Sequence, residues 1–253
     1  MSRVTVVTGA SSGIGEASAR ALAALGHPVV LGARRVERCE EVAAEIRADG
    51  GRAAAERLDV ADLVSVAGFV KAAEAAFGPI EVLVSNAGDV LPTTVTETEP
   101  AAFAEQLSVN LLGAQRLVNL VVPGMIERHR GDIVFVTSDV VRLPRPRMAS
   151  YVTSKWGLEG LARALQLELE GTGVRASIVR PGPTVTGMGA TWTPEVVTPV
   201  LREWKRHGLM RHDGYLAPEG VAGAVVAVVS APRGTHFTLV EVEPEAPVRE
   251  DQP

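Results

Sequence analysis

One cysteine, Cys39, in 253 residues excludes an internal disulfide and suits a reducing compartment. Its neighbours, "ERCEEV", read as helix, so a packed thiol is expected there. Basic excess is also lacking: the formal charge of -5 gives no electrostatic case for nucleic acid. The one locally basic run, "RLPRPR" from Arg142 to Arg147, reads as a solvated loop and not as a binding patch. No stretch approaches the roughly 18 uninterrupted apolar residues that a membrane span needs. The N-terminus "MSRVTVVTGASSG" runs straight into a strand pattern without a charged leader and cleavage site, and the expected location is the cytoplasm. Histidines at 27, 129, 207, 212 and 236 are scattered, and His207 with His212 lacks the i, i+4 spacing of helical ligands, so no metal site is expected. Aromatics are scarce at 4%, with only two tyrosines, so each tyrosine calls for a reason.

What the chain does have is 46% hydrophobic residues against 22% charged, the profile of a globular chain with a substantial core. Short β-branched runs ("RVTVVT" at 3–8, then near 28–33, 53–60, 80–87, 132–138, 175–181 and 237–243) alternate with Ala- and Leu-rich stretches of helical length. Such alternation implies right-handed crossovers and one α/β domain over 1–243, a doubly wound sheet of about seven parallel strands with helices on both faces. The polar, Pro-rich residues 244–253 read as a flexible tail. One connection breaks the rhythm: residues 184–216, with Trp192, Trp204, Met188, Leu209, Met210 and Tyr215, are too long for a plain crossover. These apolar residues form either lid-to-core packing or a substrate wall, with Gly187, Gly189, Gly208 and Gly214 as candidate hinges of a lid.

The first strand flows into "TGASSGIGEASARALAALG". Glycines at 9, 13 and 15 before a helix let backbone approach a pyrophosphate, while the helix N-terminus offers N–H groups and a positive dipole end. The spacing is G-x3-G-x-G and not the general G-x-G-x-x-G of dinucleotide folds. At the end of the second strand, where an NAD-binding unit places an acid for the ribose 2′-hydroxyl, stand Ala33, Arg34 and Arg35. A cationic pair without an acid suits a 2′-phosphate, so the expected cofactor is NADP(H).

In "ASYVTSKWGLEGLARAL", Tyr151 and Lys155 lie four apart on one helix face, and a phenol beside a fixed cation ionises more easily than usual. Together, "TGASSGIG", "NAG" at 86–88, Asn110, Ser138 and Tyr151-x3-Lys155, in this order with 13 residues from Ser138 to Tyr151, resemble the classical short-chain dehydrogenase/reductase family from Thr5 to about Val242. The resemblance implies a Rossmann-type enzyme, an NADP-dependent alcohol dehydrogenase or ketoreductase. Tyr151 would be the general acid or base, and Lys155 would lower its pKa and hold the nicotinamide ribose. Ser138 would bond the substrate oxygen, and Asn110 would shape its helix around a proton-relaying water. Cofactor contacts carry over to Gly9, Ser11, Ser12, Gly13, Ile14 and Gly15 in the turn, and to Asp59 and Val60 at the adenine. They extend to Asn86, Ala87 and Gly88 beside the adenosine ribose, and to Pro181, Gly182, Thr184 and Thr186 at the nicotinamide, together with Tyr151 and Lys155.

Departures are few. Thr184 stands where this loop often carries Val, and Asp139 follows Ser138, its carboxylate either shaping the pocket or pointing to solvent. The ending "FTLVEVEPEAP" lacks the "DGG" of 3-oxoacyl-carrier-protein reductases and is closer to the hydroxy-acid and amino-alcohol dehydrogenase branch. Alternatives are a binding-only NADP regulatory protein, which would be expected to lose Tyr151 or Lys155, and an extended-branch epimerase or dehydratase, whose added substrate domain does not fit this length. The expected substrate is a small-to-medium, largely apolar carbonyl or secondary alcohol. The helical segments 102–127 and 156–170 carry apolar residues on more than one face; in the family they pack against symmetry mates, which implies a homodimer or homotetramer.

Overall fold

The structure is a computed structural model that describes residues 2–189, 192–210 and 212–248. The β-branched runs become β1 (Thr5–Thr8), β2 (Val29–Ala33), β3 (Ala53–Arg57), β4 (Val82–Ser85), β5 (Gly131–Val136), β6 (Val174–Pro181) and β7 (Leu239–Val242). They form one seven-stranded sheet in the order β3-β2-β1-β4-β5-β6-β7, every pairing parallel. The expected doubly wound sheet is thus what the chain forms. Strands buried on both faces cannot alternate apolar with polar residues, which is why they are legible as continuous Val-rich runs.

Side chains that alternate along the strands feed two cores. Val7, Leu31, Val84 and Val134 pack under α1 (Gly13–Ala24), α2 (Val36–Ala48) and α8 (Pro218–Val229). Val6, Leu83, Phe135 and Ile178 pack under α3 (Leu63–Phe77), α5 (Gly113–Glu127) and α6 (Ala149–Glu168). Cys39 lies fully buried on α2, and burial pushes its thiol up to about 11, so it behaves as a packing residue.

Helix α4 (Pro100–Leu107) runs through a π-helical turn (Ser108–Leu112) into α5. Among the described residues, Pro100–Glu127 is the one helix long and apolar enough to cross a membrane by length and composition. Here Leu117, Val121 and Met125 face the sheet, and Arg116 donates to the Val60 and Ser108 carbonyls, so the run serves as a core helix.

The long connection after β6 contains a helix that the sequence reading did not separate from the rest of the connection, α7 (Pro194–Arg206), whose Val196, Val197, Val200, Leu201 and Trp204 recur at helical spacing. Its stem is closed by backbone bonds from Val185 to the Leu216 carbonyl (2.9 Å) and from Leu216 to the Pro183 carbonyl (2.8 Å). Residues 190, 191 and 211 of the expected lid, and 249–253 of the expected tail, lie outside the described residues. At the start of that tail Pro244 is buried.

Candidate active site

The chain builds β1, β2 and β3 in one direction, then returns to place β4 on the other side of β1. This reversal opens a crevice at the carboxyl ends of β1 and β4, the place where open α/β sheets bind ligands. One threonine ties its two walls together. The Thr8 hydroxyl accepts from the backbone N–H groups of Asn86 (3.0 Å) and Ala87 (2.9 Å), and Asn86 Nδ2 donates back to the Thr8 carbonyl (2.9 Å). Gly9 has φ 67°, and a Cβ there would stand 2.9 Å from Ala87 Cα. At Gly15 a Cβ would overlap the Gly9 carbonyl. The turn is therefore drawn tight against 86–88 in a way only glycine permits. Thr186 lies against Gly13.

Ser12 is the N-cap of α1, but its side chain makes no capping bond. Instead Arg35 Nη2 donates to both Ser11 Oγ and Ser12 Oγ, each at 3.0 Å. The N–H groups of the first turn are thus not consumed by their own cap, and a guanidinium sits beside them. Arg34 is exposed next door, and Arg57, opposite Ala33 in the β2–β3 register, donates to the Arg34 carbonyl (3.2 Å). The cationic rim therefore has three members, and Arg57 was not among the expected ones. The glycine cradle, the uncapped helix end and this rim fit the phosphates of a dinucleotide. Asp59, Val60 and Ala61 are fixed at the adjacent edge, with Ser65 Oγ accepting from Asp59 N (2.9 Å) and Asp59 Oδ1 from Ala61 N (3.0 Å).

Ser138 ends the β5 segment and caps a 3-10 turn (Asp139–Val141), while α6 carries Tyr151 and Lys155 toward it. Ser138, Tyr151 and Lys155 are 6%, 7% and 3% exposed, so the three side chains share a nearly dry site. The Ser138 hydroxyl lies close enough to the Tyr151 hydroxyl to favour its ionised form. Lys155 Nζ donates to the Val136 carbonyl (2.9 Å), sits 5.7 Å from the Tyr151 ring centroid and lies close to Gly88.

The easier ionisation expected of Tyr151 is not found. Burial pushes its hydroxyl up to about 12, opposed by the nearby Ser138 hydroxyl; Asp139 raises it further and Arg145 lowers it. Burial also lowers Lys155 to about 8. Desolvation of the charged form is the largest cause of both shifts, because each group is enclosed by protein. Tyr151 is a proton carrier at neutral pH, suited to act as an acid.

Asn110 lies in the π-helical turn, 1% exposed, with its side chain fully engaged. Its Oδ1 accepts from Asp89 N (2.8 Å), and its Nδ2 donates to the Asp89 carbonyl (2.8 Å) and to Ser154 Oγ (2.9 Å). Gln106 adds a bond to the same Asp89 carbonyl (2.8 Å) and accepts from Ser150 Oγ. These residues lock the segment after "NAG" to α6; sequence spacing singled out only Asn110.

After β6, Gly182 N donates to the Val242 carbonyl (2.7 Å) and Thr184 Oγ1 to the Gly182 carbonyl (2.9 Å), which shapes the loop after Pro181. "RLPRPR" is the solvated loop expected of it only in its first half, Arg142 to Pro144; Arg145 to Arg147 are half-buried, with both arginines paired. Arg145 grips the Asp139 carboxylate with both terminal nitrogens, at 2.9 Å for Nη1, and Arg147 Nε donates to Glu203 of α7 (3.2 Å). The partners lie far off in sequence for Arg147, so local charge density gave no hint of them. Trp192 and Trp204 pack against a small buried cluster of Val90, Val140, Met148 and Tyr151. Trp204, Leu209, Met210 and Tyr215 also line a cleft with Asp139 and Pro183. Trp204 therefore belongs both to this cluster and to the cleft lining.

A profile of the family described as short chain dehydrogenase matches residues 3–196. Glycine betaine reductase ATRR of Emericella nidulans is 35% identical over 243 residues, which are 96% of this chain and 19% of that protein; the chain thus spans about a fifth of that relative. An alcohol dehydrogenase from the archaeon Thermococcus sibiricus, solved with 5-hydroxy-NADP, is 32% identical with a TM-score of 0.84, over 99% of this chain and 100% of that one. A short chain dehydrogenase/reductase from Burkholderia phymatum, solved with NAD, is 25% identical with a TM-score of 0.83, over 94% and 88%. With the match extending over the crevice, the Ser138–Tyr151–Lys155 cluster and the sheet that carries them, the chain belongs to the short chain dehydrogenase family of oxidoreductases.

Proposed function

We propose that the chain is an NADP(H)-dependent oxidoreductase that interconverts a carbonyl and a secondary alcohol on a small-to-medium, largely apolar substrate. The observation that carries this reading is the buried Ser138–Tyr151 hydroxyl pair with Lys155 beside it at the carboxyl ends of the strands. When bound, the nicotinamide supplies or accepts the hydride; the chain's own residues handle the proton. Tyr151 gives its proton to the oxygen of a carbonyl undergoing reduction and takes it back in alcohol oxidation. Ser138 hydrogen-bonds the same oxygen as charge develops on it. Lys155, steadied on the Val136 carbonyl, faces Gly88 and is placed for the nicotinamide ribose hydroxyls. Asn110 keeps the π-helical turn open beside Lys155, where a water would relay protons. Residues 184–216 cover the substrate, with the docked α7 as their rigid part. A panel of ketones and alcohols followed by NADPH absorbance tests the reading, and turnover of none of them by the full chain would overturn it.

The solved relatives hold NADP in one case and NAD in another, so the cofactor preference rests on this chain's own rim. Arg34 is exposed, whereas Arg35 braces the two serine hydroxyls of the glycine turn. The two should therefore behave differently. A charge-assisted bond to phosphate contributes about 1.5–3 kcal/mol, so Arg34→Ala should weaken NADPH about tenfold or more and leave NADH nearly unchanged. Arg35→Ala should weaken both. Calorimetry on the unmutated chain that found equal affinity for the two cofactors would remove the NADP assignment.

Assembly into a homodimer or homotetramer is supported by apolar residues left uncovered on α6 and at the π-helical turn: Trp156 is 56% exposed and Leu167 72%, with Leu112 and Leu120 nearby on the adjoining helix. Light scattering should give an oligomer at micromolar concentration, and Trp156→Glu should shift it toward monomer. A monomeric unmutated chain would refute the assembly.

A further inference from the structure

Every member of the proposed proton machinery has a bland neighbour except Ser138, which is followed by a buried carboxylate. Asp139 is 4% exposed, and its Oδ1 accepts from Ser138 Oγ at 3.2 Å while also accepting from Arg145 Nη1 at 2.9 Å. A hydroxyl donating to a free carboxylate normally closes to about 2.5–2.7 Å. The Ser138 bond is long because Arg145 takes the stronger share of the carboxylate. Ser138 has a single proton, and a proton held by Asp139 is not available to a substrate oxygen. How tightly Arg145 grips Asp139 therefore decides where the Ser138 proton points.

Arg145 is in turn held by the substrate-covering segment. Its guanidinium lies over the Trp204 ring of α7, 5.2 Å from the centroid, and the indole Nε1 donates to the Pro146 carbonyl at 3.1 Å. Arg147, in the left-handed region at φ 60°, adds its bond to Glu203 on the same helix. Docking of α7 thus fixes the loop that carries Arg145. The remaining charged or titratable groups that line the cleft with Asp139 are Arg142, His212, Tyr215 and Glu243, and Lys155 approaches Tyr151 from its own helix. Asp139 and Arg145 act on Tyr151 with opposite sign.

We propose that Asp139 and Arg145 form a positioning pair through which docking of α7 releases the Ser138 proton to the substrate and cancels a carboxylate charge beside Tyr151. The pair rests on the oxidoreductase reading but is testable apart from it. When α7 is docked, Arg145 occupies the Asp139 carboxylate and Ser138 is free to turn to the substrate oxygen. Loss of the Trp204 contact loosens Arg145, and Asp139 reclaims the Ser138 proton.

The test compares Asp139→Asn, Arg145→Met, the double variant and Trp204→Leu in the full chain. In alcohol oxidation the base form of Tyr151 is required, so a raised tyrosine pKa moves the ascending, acid-side limb of the kcat profile to higher pH. Arg145→Met should move that limb up, and Asp139→Asn down, by about half a unit or more each. The double variant should return close to the unmutated position, although it lacks both groups. Trp204→Leu should follow Arg145→Met in direction and lose that effect in the Asp139→Asn background. A merely structural pair would lower stability in both single variants without opposite shifts. Shifts of the same sign, or none, overturn the pair; an unmoved profile in Trp204→Leu overturns its link to α7. In a Tyr215→Phe background Tyr151 is the only tyrosine, and its ionisation read at 295 nm in the free chain should show the same ordering. That arm decides the pair even if the unmutated chain turns over no alcohol, a result that would strike the proposed function alone.

Discussion

Tyr151→Phe should leave the fold and NADPH affinity nearly intact while turnover falls by about 10²–10⁴-fold, the range general acid/base groups supply. The substitution removes one oxygen from a ring that is 7% exposed and packed with Val90, Val140 and Met148, so the apolar contacts stay in place. What disappears is the proton donor beside Ser138. Because burial holds the hydroxyl up at about 12, the unmutated chain carries this proton through the whole neutral range. Carbonyl reduction should accordingly be insensitive to Tyr151 ionisation near pH 7, and alcohol oxidation should accelerate as pH rises toward the range where the tyrosinate forms. The comparison needs thermal unfolding and NADPH calorimetry beside steady-state rates. Turnover within a few-fold of the unmutated enzyme on any good substrate would remove Tyr151 from the proton path.

The sheet was legible because its strands are buried on both faces. A run such as "VVLGA" can be neither amphipathic helix nor exposed loop, and strict strand–helix alternation then leaves little choice of topology. The glycine turn was legible because only glycine permits the approach of Gly15 to the Gly9 carbonyl. Other features depend on partners that sequence spacing does not bring together. Arg57 joins the cationic rim only once β3 pairs with β2 so that Arg57 stands opposite Ala33. Helix α7 was legible in principle, with Pro194 in its first turn and Val196, Val197, Val200, Leu201 and Trp204 at helical spacing; where it docks is seen only when Val200 is buried and Trp204 finds Pro146. The π-helical turn leaves no compositional trace; it is seen when Asn110 reaches the backbone of Asp89. For Tyr151 the i, i+4 rule placed the lysine correctly but could not weigh desolvation against attraction, because burial is a property of the closed fold.

Desolvation also underlies the largest stability effect expected. Glu159, on the buried face of α6, accepts from Arg180 Nη2 (2.7 Å), Arg180 Nε (2.9 Å) and Thr137 Oγ1 (2.9 Å), with side-chain exposures of 8% for the acid and 11% for the arginine. Removing one partner of a buried pair typically costs about 3–5 kcal/mol, because the other charge stays desolvated. Glu159→Ala should sit near the lower end, since Glu241 lies 3.4 Å from Arg180 Nη1 and supplies partial compensation. For a chain of this size that is a fall in Tm of roughly 6–12 °C. The damage should not stop at stability. Thr137 precedes Ser138 and Arg180 precedes Pro181 and Gly182, so Glu159 clamps the strand ends that carry Ser138 and the loop after Pro181. NADPH affinity should therefore fall with the same substitution. Removing the exposed Glu40, paired with Arg47 across the surface, should cost at most about 1 kcal/mol and leave the cofactor alone. The paired replacement Glu159→Leu with Arg180→Met removes both charges and should recover most of the stability lost by Glu159→Ala, without recovering the Thr137 bond. If the double variant is instead less stable than Glu159→Ala, the cost lies in packing and hydrogen bonding, not in a stranded guanidinium.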